Sequence, residues 1–396
     1  MSGRSVYLDY AATTYVKPEV LQEMLPYFNV NFGNPSSLYS ISSVTQRAID
    51  RSRERVAGAI NAEREEIYFT GCGSEADNWA LKGVAFANRR RGNHIITTKI
   101  EHHAILHACE FLESNGFEVT YLPVDQYGFV DPDELERAIN ERTILVSVMF
   151  ANNEIGTIEP IREIGAICRN RKILFHTDAV QAVGHVPVDV KDMNIDLLSL
   201  AAHKFYGPKG VGALYIKKGI KIDNLIHGGG QERGKRAGTE NVAGIVGLGK
   251  AIELAVSEME LENLRLSGLR DRLITGLMKI PHSRLNGPKG FSRLPGNVNV
   301  CLRFIEGESI ILLLDSMGVC ASSGSACTSG SLDPSHVLLA IGLPHEIVHG
   351  SLRLTMGSGT TDEDVDYVLE VLPGIVDRLR EMSPLWKEYL REEIKV

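Results

Sequence analysis

The chain has 396 residues, of which 43% are hydrophobic and 23% charged, and a formal net charge of −8 at pH 7. This length is beyond one simple core and points to two domains, while the acidic balance argues against a broad nucleic-acid or anionic-membrane surface. The N-terminal MSGRSVYLDY lacks an apolar signal segment, no run is long enough to span a bilayer, and six cysteines in so long a chain are no disulfide scaffold, so a cytoplasmic protein is expected.

In chain order, Val6–Tyr10 reads as a short strand and Pro18–Phe28 as a helix with proline at its start. Phe32–Ser37 is a turn-rich loop, and Thr45–Ile60 has helical period. Strands and helices then alternate: Glu66–Thr70, helix Ser74–Asn88, His94–Thr98, helix His103–Asn115, Glu118–Pro123, helix Asp131–Asn140 and Thr143–Phe150. Helix Ile161–Arg171 and strand Ile173–Thr177 follow, then the apolar run Ile195–Ala202 and a second run Val211–Ile216. This rhythm predicts an α/β fold with a mostly parallel sheet, whose ligands bind at the carboxyl ends of the strands. Asn241–Lys279 is helical almost throughout and would link two domains. Beyond it come strand Asn297–Phe304, helix Glu308–Met317, strand Val319–Ser322, helix Ser335–Ile341 and strand Ser351–Met356. A last helix, capped by Thr361 with Asp364 three residues on, runs to about Met382.

Chemistry gathers at the predicted strand ends. Lys204 closes a buried run just before the turn Gly207-Pro-Lys-Gly. Burial disfavours its charged form, and a neutral amine condenses with an aldehyde such as pyridoxal phosphate; a strand-end lysine that snorkels to water is the plain alternative. Thr70-Gly-Cys-Gly-Ser-Glu75 joins a strand to a helix, where free backbone amides face an anion such as a phosphate. Asp178 ends a strand, placed to keep a pyridinium nitrogen protonated, with Gln181 in reach of a ring hydroxyl; a helix N-cap is the alternative. In Glu101-His102-His103 an imidazole suits stacking on an aromatic cofactor and moving protons, whereas no cysteine or histidine spacing completes a zinc set. Cys327 stands among small polar residues in Ser322–Gly330, the setting of a nucleophilic thiolate, while Cys320 lies in an apolar strand and reads as packing.

With these residues go longer motifs: LDYAATT from Leu8, ANNEIGT from Ala151, HTDAVQ from His176, AHKFYGPKG from Ala202, GGGQERGKRAGTENV from Gly228 and SSGSACTSGSLDPSHV from Ser322. Over nearly its whole length the chain resembles the cysteine desulfurases of the NifS/IscS family, fold-type-I enzymes dependent on pyridoxal phosphate; the last two runs are nearer the NifS type. The resemblance implies an aspartate-aminotransferase-like fold. Its large domain would span residues 15–260, and residues 1–14 with 261–396 would form a small domain carrying the cysteine loop at about 320–332. It implies Lys204 as the cofactor lysine, Cys327 as sulfur acceptor and His102 as the ring-stacking imidazole, with Lys204 or His102 taking the α-proton. Asp178 and Gln181 would hold the ring, and Gly73, Ser74 and His203 the phosphate. Thr239 would reach the phosphate of a partner subunit, implying a homodimer; Asn153 would contact cofactor and substrate, and Arg353 the substrate carboxylate. The implied reaction turns L-cysteine into alanine and leaves a persulfide on Cys327, destined for an iron–sulfur scaffold protein, with no resident metal, nucleic acid or membrane involved. Selenocysteine lyase is the alternative within the enzyme class, and a catalytically silent, partner-binding relative the alternative outside it. Two positions depart from the family pattern: Ala201 stands where a phosphate-binding serine is common, and Tyr39 where a histidine is.

Overall fold

The computed structural model describes residues 5–323 and 334–393. Its strands in chain order are β1 (Val6–Tyr7), β2 (Ile67–Thr70), β3 (His94–Thr98), β4 (Glu118–Leu122), β5 (Thr143–Ser147), β6 (Leu174–Asp178), β7 (Leu197–Ala201), β8 (Gly212–Ile216), β9 (Ser283–Leu285), β10 (Asn297–Leu302), β11 (Val319–Cys320) and β12 (Ser351–Thr355). Seven of them form one sheet in the order β2-β8-β7-β6-β5-β3-β4. Only β8 runs against its neighbours; the β7-β6-β5-β3-β4 pairs are all parallel.

A sheet covered on both faces needs strands that are apolar on both faces, and β7 supplies this. Its Leu198 and Leu200 belong to one core with Ile49, Val56 and Phe175, while Leu197 joins Trp79, Leu81, Ile95 and Leu214 in another. The helices Gly73–Asn88 and Ser40–Ala59 supply the two opposing layers.

A separate apolar core surrounds the antiparallel β12-β10-β9 sheet and the parallel β1-β11 pair. It draws Val6 and Leu8 from the start of the chain and Val365, Val368 and Leu372 from the helix Asp362–Met382. Both arms of the predicted cap are present there: Asp364 donates its N–H to Thr361 Oγ1 at 3.3 Å, and Thr361 donates its N–H to Asp364 Oδ2 at 3.0 Å. One helix of 36 residues, Val242–Leu277, serves both cores. Ile245, Leu248 and Ile252 pack in the large-sheet core, and Leu266, Leu269, Leu273 and Leu277 in the other.

The structure differs from the periodicity in a few places. The helix expected over Pro18–Phe28 divides into Pro18–Met24 and Pro26–Asn29, because Pro26 has no N–H to continue the first and opens the second. Regular pairing of β5 stops at Ser147, although Val148 and Phe150 still donate to the carbonyls of His176 and Asp178. Strand β9 and the helices His345–Val348 and Pro384–Glu393 had no clear signal; the first two are too short to show a period.

Candidate active site

A cavity of about 290 Å³ opens at the carboxyl ends of the parallel strands. Each strand exit delivers part of its lining. After β2 come Cys72, Gly73 and Ser74; after β3, His102; after β5, Met149, Ala151 and Asn153; from β6 and beyond it, Asp178, Val180 and Gln181; from β7 and beyond it, Ala201, His203 and Lys204. Arg353 enters from β12 in the other core, and Ala11 and Ala12 from the start of the chain.

Lys204 ends a short 3₁₀ turn, Ala202–Lys204, and its Nζ donates to the carbonyl of Ala12 at 2.9 Å. It also donates to the carbonyl of Ala11, which accepts Gln181 Nε2 at 2.9 Å as well. His203 places Nδ1 3.1 Å from Thr13 Oγ1, and burial, with the Lys204 charge second, pushes its pKa down to about 4.

Asp178 lies at the cavity floor, 6% exposed, with Oδ1 accepting the Val180 N–H at 2.9 Å. Burial raises its pKa to about 6, against the pull of the Val180 N–H and the Lys204 charge. Behind it the carboxyl of Asp77 is buried, and burial, then the Asp178 charge, push it well above the usual carboxylate range; its Oδ1 has no hydrogen-bond partner, with His176 Nε2 3.8 Å away. The helix Gly73–Asn88 starts at the cavity wall, its N-cap Cys72 accepting the Glu75 N–H through Sγ at 3.4 Å. At Gly73 a Cβ would stand 2.8 Å from Val180 Cγ2, so only glycine lets the turn approach this closely.

His102 caps the helix His103–Glu113, with Nδ1 accepting the Ala104 N–H at 3.1 Å. That bond fixes the neutral tautomer with the proton on Nε2. Burial, with the Lys204 charge second, lowers its pKa to about 4. Neighbouring His103 stacks on His107 at 5.0 Å between ring centres, and among the described residues no group of three or more His, Cys, Asp or Glu is arranged to hold a metal.

Arg353 is 2% exposed and donates from Nη2 to Asp9 Oδ1 at 3.0 Å and to Ser322 Oγ at 3.3 Å, and from Nη1 to the Asn153 carbonyl at 3.2 Å. Its Nε is buried without a partner.

The structure therefore gathers Gly73, Ser74, His102, Asn153, Asp178, Gln181, His203, Lys204 and Arg353 around one cavity. Thr239 is exposed and does not line it. Cys327 lies outside the described residues; Cys320 stands on β11, half-buried. Sequence reading missed the Ala11 and Ala12 carbonyls, Asp77, and the Asp9 carboxylate behind Arg353. Of these only Asp77 left a local trace, an acidic residue on the otherwise buried face of its helix.

The class-V aminotransferase model matches residues 6–368. A cysteine desulfurase IscS of Clostridium botulinum is 68% identical over 393 residues, covering 99% of each chain. The chain belongs to the class-V aminotransferases, among the cysteine desulfurases. These are pyridoxal-phosphate-dependent enzymes, so the family carries an electron-sink cofactor of the kind the cavity suits. The solved structure of a NifS-like protein superposes on this cysteine desulfurase family member with TM-score 0.90 at 40% identity, covering 95% of this chain and all of that one. The structure of SspA in complex with cysteine superposes with TM-score 0.79 at 38% identity, covering 89% and 99%. No helix of the described residues is long and apolar enough to cross a membrane.

Proposed function

We propose that this chain binds pyridoxal phosphate in the 290 Å³ cavity and converts L-cysteine to L-alanine, leaving the sulfur as a persulfide on Cys327. The observation that carries the reading is the convergence of Lys204, Asp178, His102 and Arg353 on one cavity in a chain 68% identical to a cysteine desulfurase. The donor set fits the cofactor: a helix N-terminus at Gly73 and Ser74 with His203 beside it for the phosphate, Asp178 for the ring nitrogen, Gln181 for the ring hydroxyl, His102 for the ring face and Lys204 for the aldehyde. When bound, pyridoxal phosphate supplies the electron sink that loosens the α-proton and the C–S bond of cysteine.

The protein's own groups do the rest. Arg353, anchored by Asp9, brings its guanidinium charge to the substrate carboxylate, with Asn153 alongside. His102 already uses Nδ1 on the Ala104 N–H, so it presents Nε2–H as a donor. The proton-moving base is therefore the Lys204 amine, which takes a proton at Nζ and returns one. The Cys327 thiolate attacks the substrate sulfur; the C–S bond breaks, an S–S bond forms, and alanine leaves carrying a proton in place of sulfur. No outside oxidant is needed, because the sulfur is oxidised as the carbon is reduced.

The wider reading is a cytoplasmic homodimer in which Thr239 reaches the partner's cofactor phosphate, with an iron–sulfur scaffold protein as acceptor. The two apolar cores support a division into a large domain over 15–260 and a small domain of 1–14 with 261–396.

Cys327→Ser tests the assignment. The variant should retain cofactor and still give a visible spectral change when cysteine is added, yet form no alanine and no persulfide. Cys320→Ser should stay active. Full desulfurase activity in Cys327→Ser would overturn the nucleophile assignment.

A further inference from the structure

In the large sheet β2 is an edge strand, so the N–H and C=O groups on its outer side have no strand to pair with. Side chains close that edge instead. Glu232 Oε2 accepts the Phe69 N–H at 3.0 Å, and both Glu232 oxygens accept Arg53 at 2.8 Å. Arg53 Nη1 and Arg233 Nη2 donate to the Ile67 carbonyl at 2.6 and 2.7 Å. Glu232 and Arg233 take left-handed backbone, with φ of 47° and 57°, a strain that these contacts offset. Three residues on, Arg236 reaches past the end of β2 to Glu75. Its Nε donates to Oε1 at 2.8 Å and its Nη2 to Oε2 at 3.1 Å.

Glu75 is the feature that needs this partner. It follows directly on Cys72, Gly73 and Ser74, which line the cavity at a helix start suited to an anion. Its carboxylate folds back on that turn, where Oε2 accepts the Gly71 N–H at 2.7 Å. A Cβ at Gly71 would stand 2.8 Å from the same oxygen, so glycine admits the close approach. A carboxylate suits a helix N-terminus, but here it sets a negative charge beside the place proposed for a phosphate. Arg236 covers both of its oxygens. The two side chains are 21% and 15% exposed, so solvent screens them only in part. Neither Glu75 nor Arg236 lines the cavity, so Arg236 serves the site through Glu75.

We infer that Arg236 is a positioning residue for the phosphate turn: its guanidinium neutralises the Glu75 carboxylate and keeps it drawn back onto Gly71, leaving the helix start attractive to the cofactor phosphate. The inference rests on the reading of Gly73 and Ser74 as phosphate ligands. Closing the sheet edge does not call for this pair, because Arg53, Glu232 and Arg233 already do so.

The test titrates the full chain, stripped of cofactor, with pyridoxal phosphate and with pyridoxal, which lacks the phosphate. Arg236→Gln should weaken pyridoxal phosphate binding by about tenfold or more and change pyridoxal binding by less than about twofold. Glu75→Gln should bind pyridoxal phosphate as tightly as wild type or tighter. The double variant Arg236→Gln, Glu75→Gln should return to within about threefold of wild type, because no carboxylate is left to neutralise. Unchanged pyridoxal phosphate affinity in Arg236→Gln would overturn the inference. So would parallel losses for both ligands, or a double variant as weak as Arg236→Gln alone, since each marks a merely structural role. A wild-type chain that binds pyridoxal phosphate no more tightly than pyridoxal would overturn the cofactor reading itself. Clear preference for the phosphate in wild type, with any of the contrary variant results, would refute the Arg236 role alone.

Discussion

Lys204 and Ala12, 192 positions apart in the chain, are joined by a hydrogen bond of 2.9 Å from the lysine Nζ to the alanine carbonyl. Ala11 adds a second carbonyl acceptor. The amine is thereby held on the cavity side of its turn rather than extended into solvent.

This sets the first prediction. Borohydride reduction of the pyridoxal-phosphate-loaded protein should fix the cofactor to Lys204, read by peptide mapping. Lys204→Ala should abolish turnover and carry no label. A label on Lys209 or Lys217 in the native protein would refute the assignment. Lys209 is the nearest competitor, but its Nζ donates to the Thr14 carbonyl at 3.0 Å and it does not line the cavity.

Ala201 gives a gain-of-function test. It ends β7, is 1% exposed, lines the cavity, and its Cβ stands 3.5 Å from where a Cβ on Gly73 would be. A hydroxyl at that point faces the proposed phosphate site, and a charge-assisted hydrogen bond contributes on the order of 1.5–3 kcal/mol. Ala201→Ser should therefore slow pyridoxal phosphate loss during dialysis by about tenfold or more. Equal or faster loss would mean that another group fills the place.

The exposure of Thr239, away from its own chain's cavity, accords with action in a second subunit. A heterodimer of wild type with a Lys204→Ala, Thr239→Ala chain isolates the point, because a shared site would pair its one working lysine with the mutated threonine. Cofactor affinity in that site should fall, by about tenfold if one charge-assisted hydrogen bond is lost. Unchanged affinity in the purified heterodimer would exclude shared sites.

Glu159 supplies a pH signature remote from the chemistry. It is 4% exposed, Oε2 accepts the Val130 N–H at 3.0 Å, and burial pushes its pKa up to about 8. A carboxyl raised in the folded state binds its proton more tightly there than in the unfolded chain. Its contribution is complete below the unfolded value and is lost as pH rises toward 8. Glu159→Gln removes that slope. Its stability relative to wild type should improve between pH 5.5 and 8 by on the order of 3 kcal/mol, read by denaturant unfolding of the holoenzymes at both values. A difference that does not change with pH would contradict the burial argument.

Hydrophobic period and turn chemistry in the sequence were enough to place β3, the helix Ile161–Arg171 and the Thr361–Asp364 cap, because each depends on residues a few positions apart. The α/β rhythm likewise pointed to the strand ends, where a cavity lined by Gly73, His102, Asp178 and Lys204 opens. The specific motifs carried the family. What the sequence could not show was which distant groups meet. The Ala12 carbonyl under Lys204, Asp9 behind Arg353 and Glu154 against Ser335 join segments 192, 344 and 181 positions apart. The tautomer of His102 is set by one backbone N–H two residues on, and the raised pKa values of Asp178, Asp77 and Glu154 come first from burial. Burial and long-range pairing are properties of the packed chain; no local pattern encodes them, and only the assembled sheet and its neighbouring core decide them.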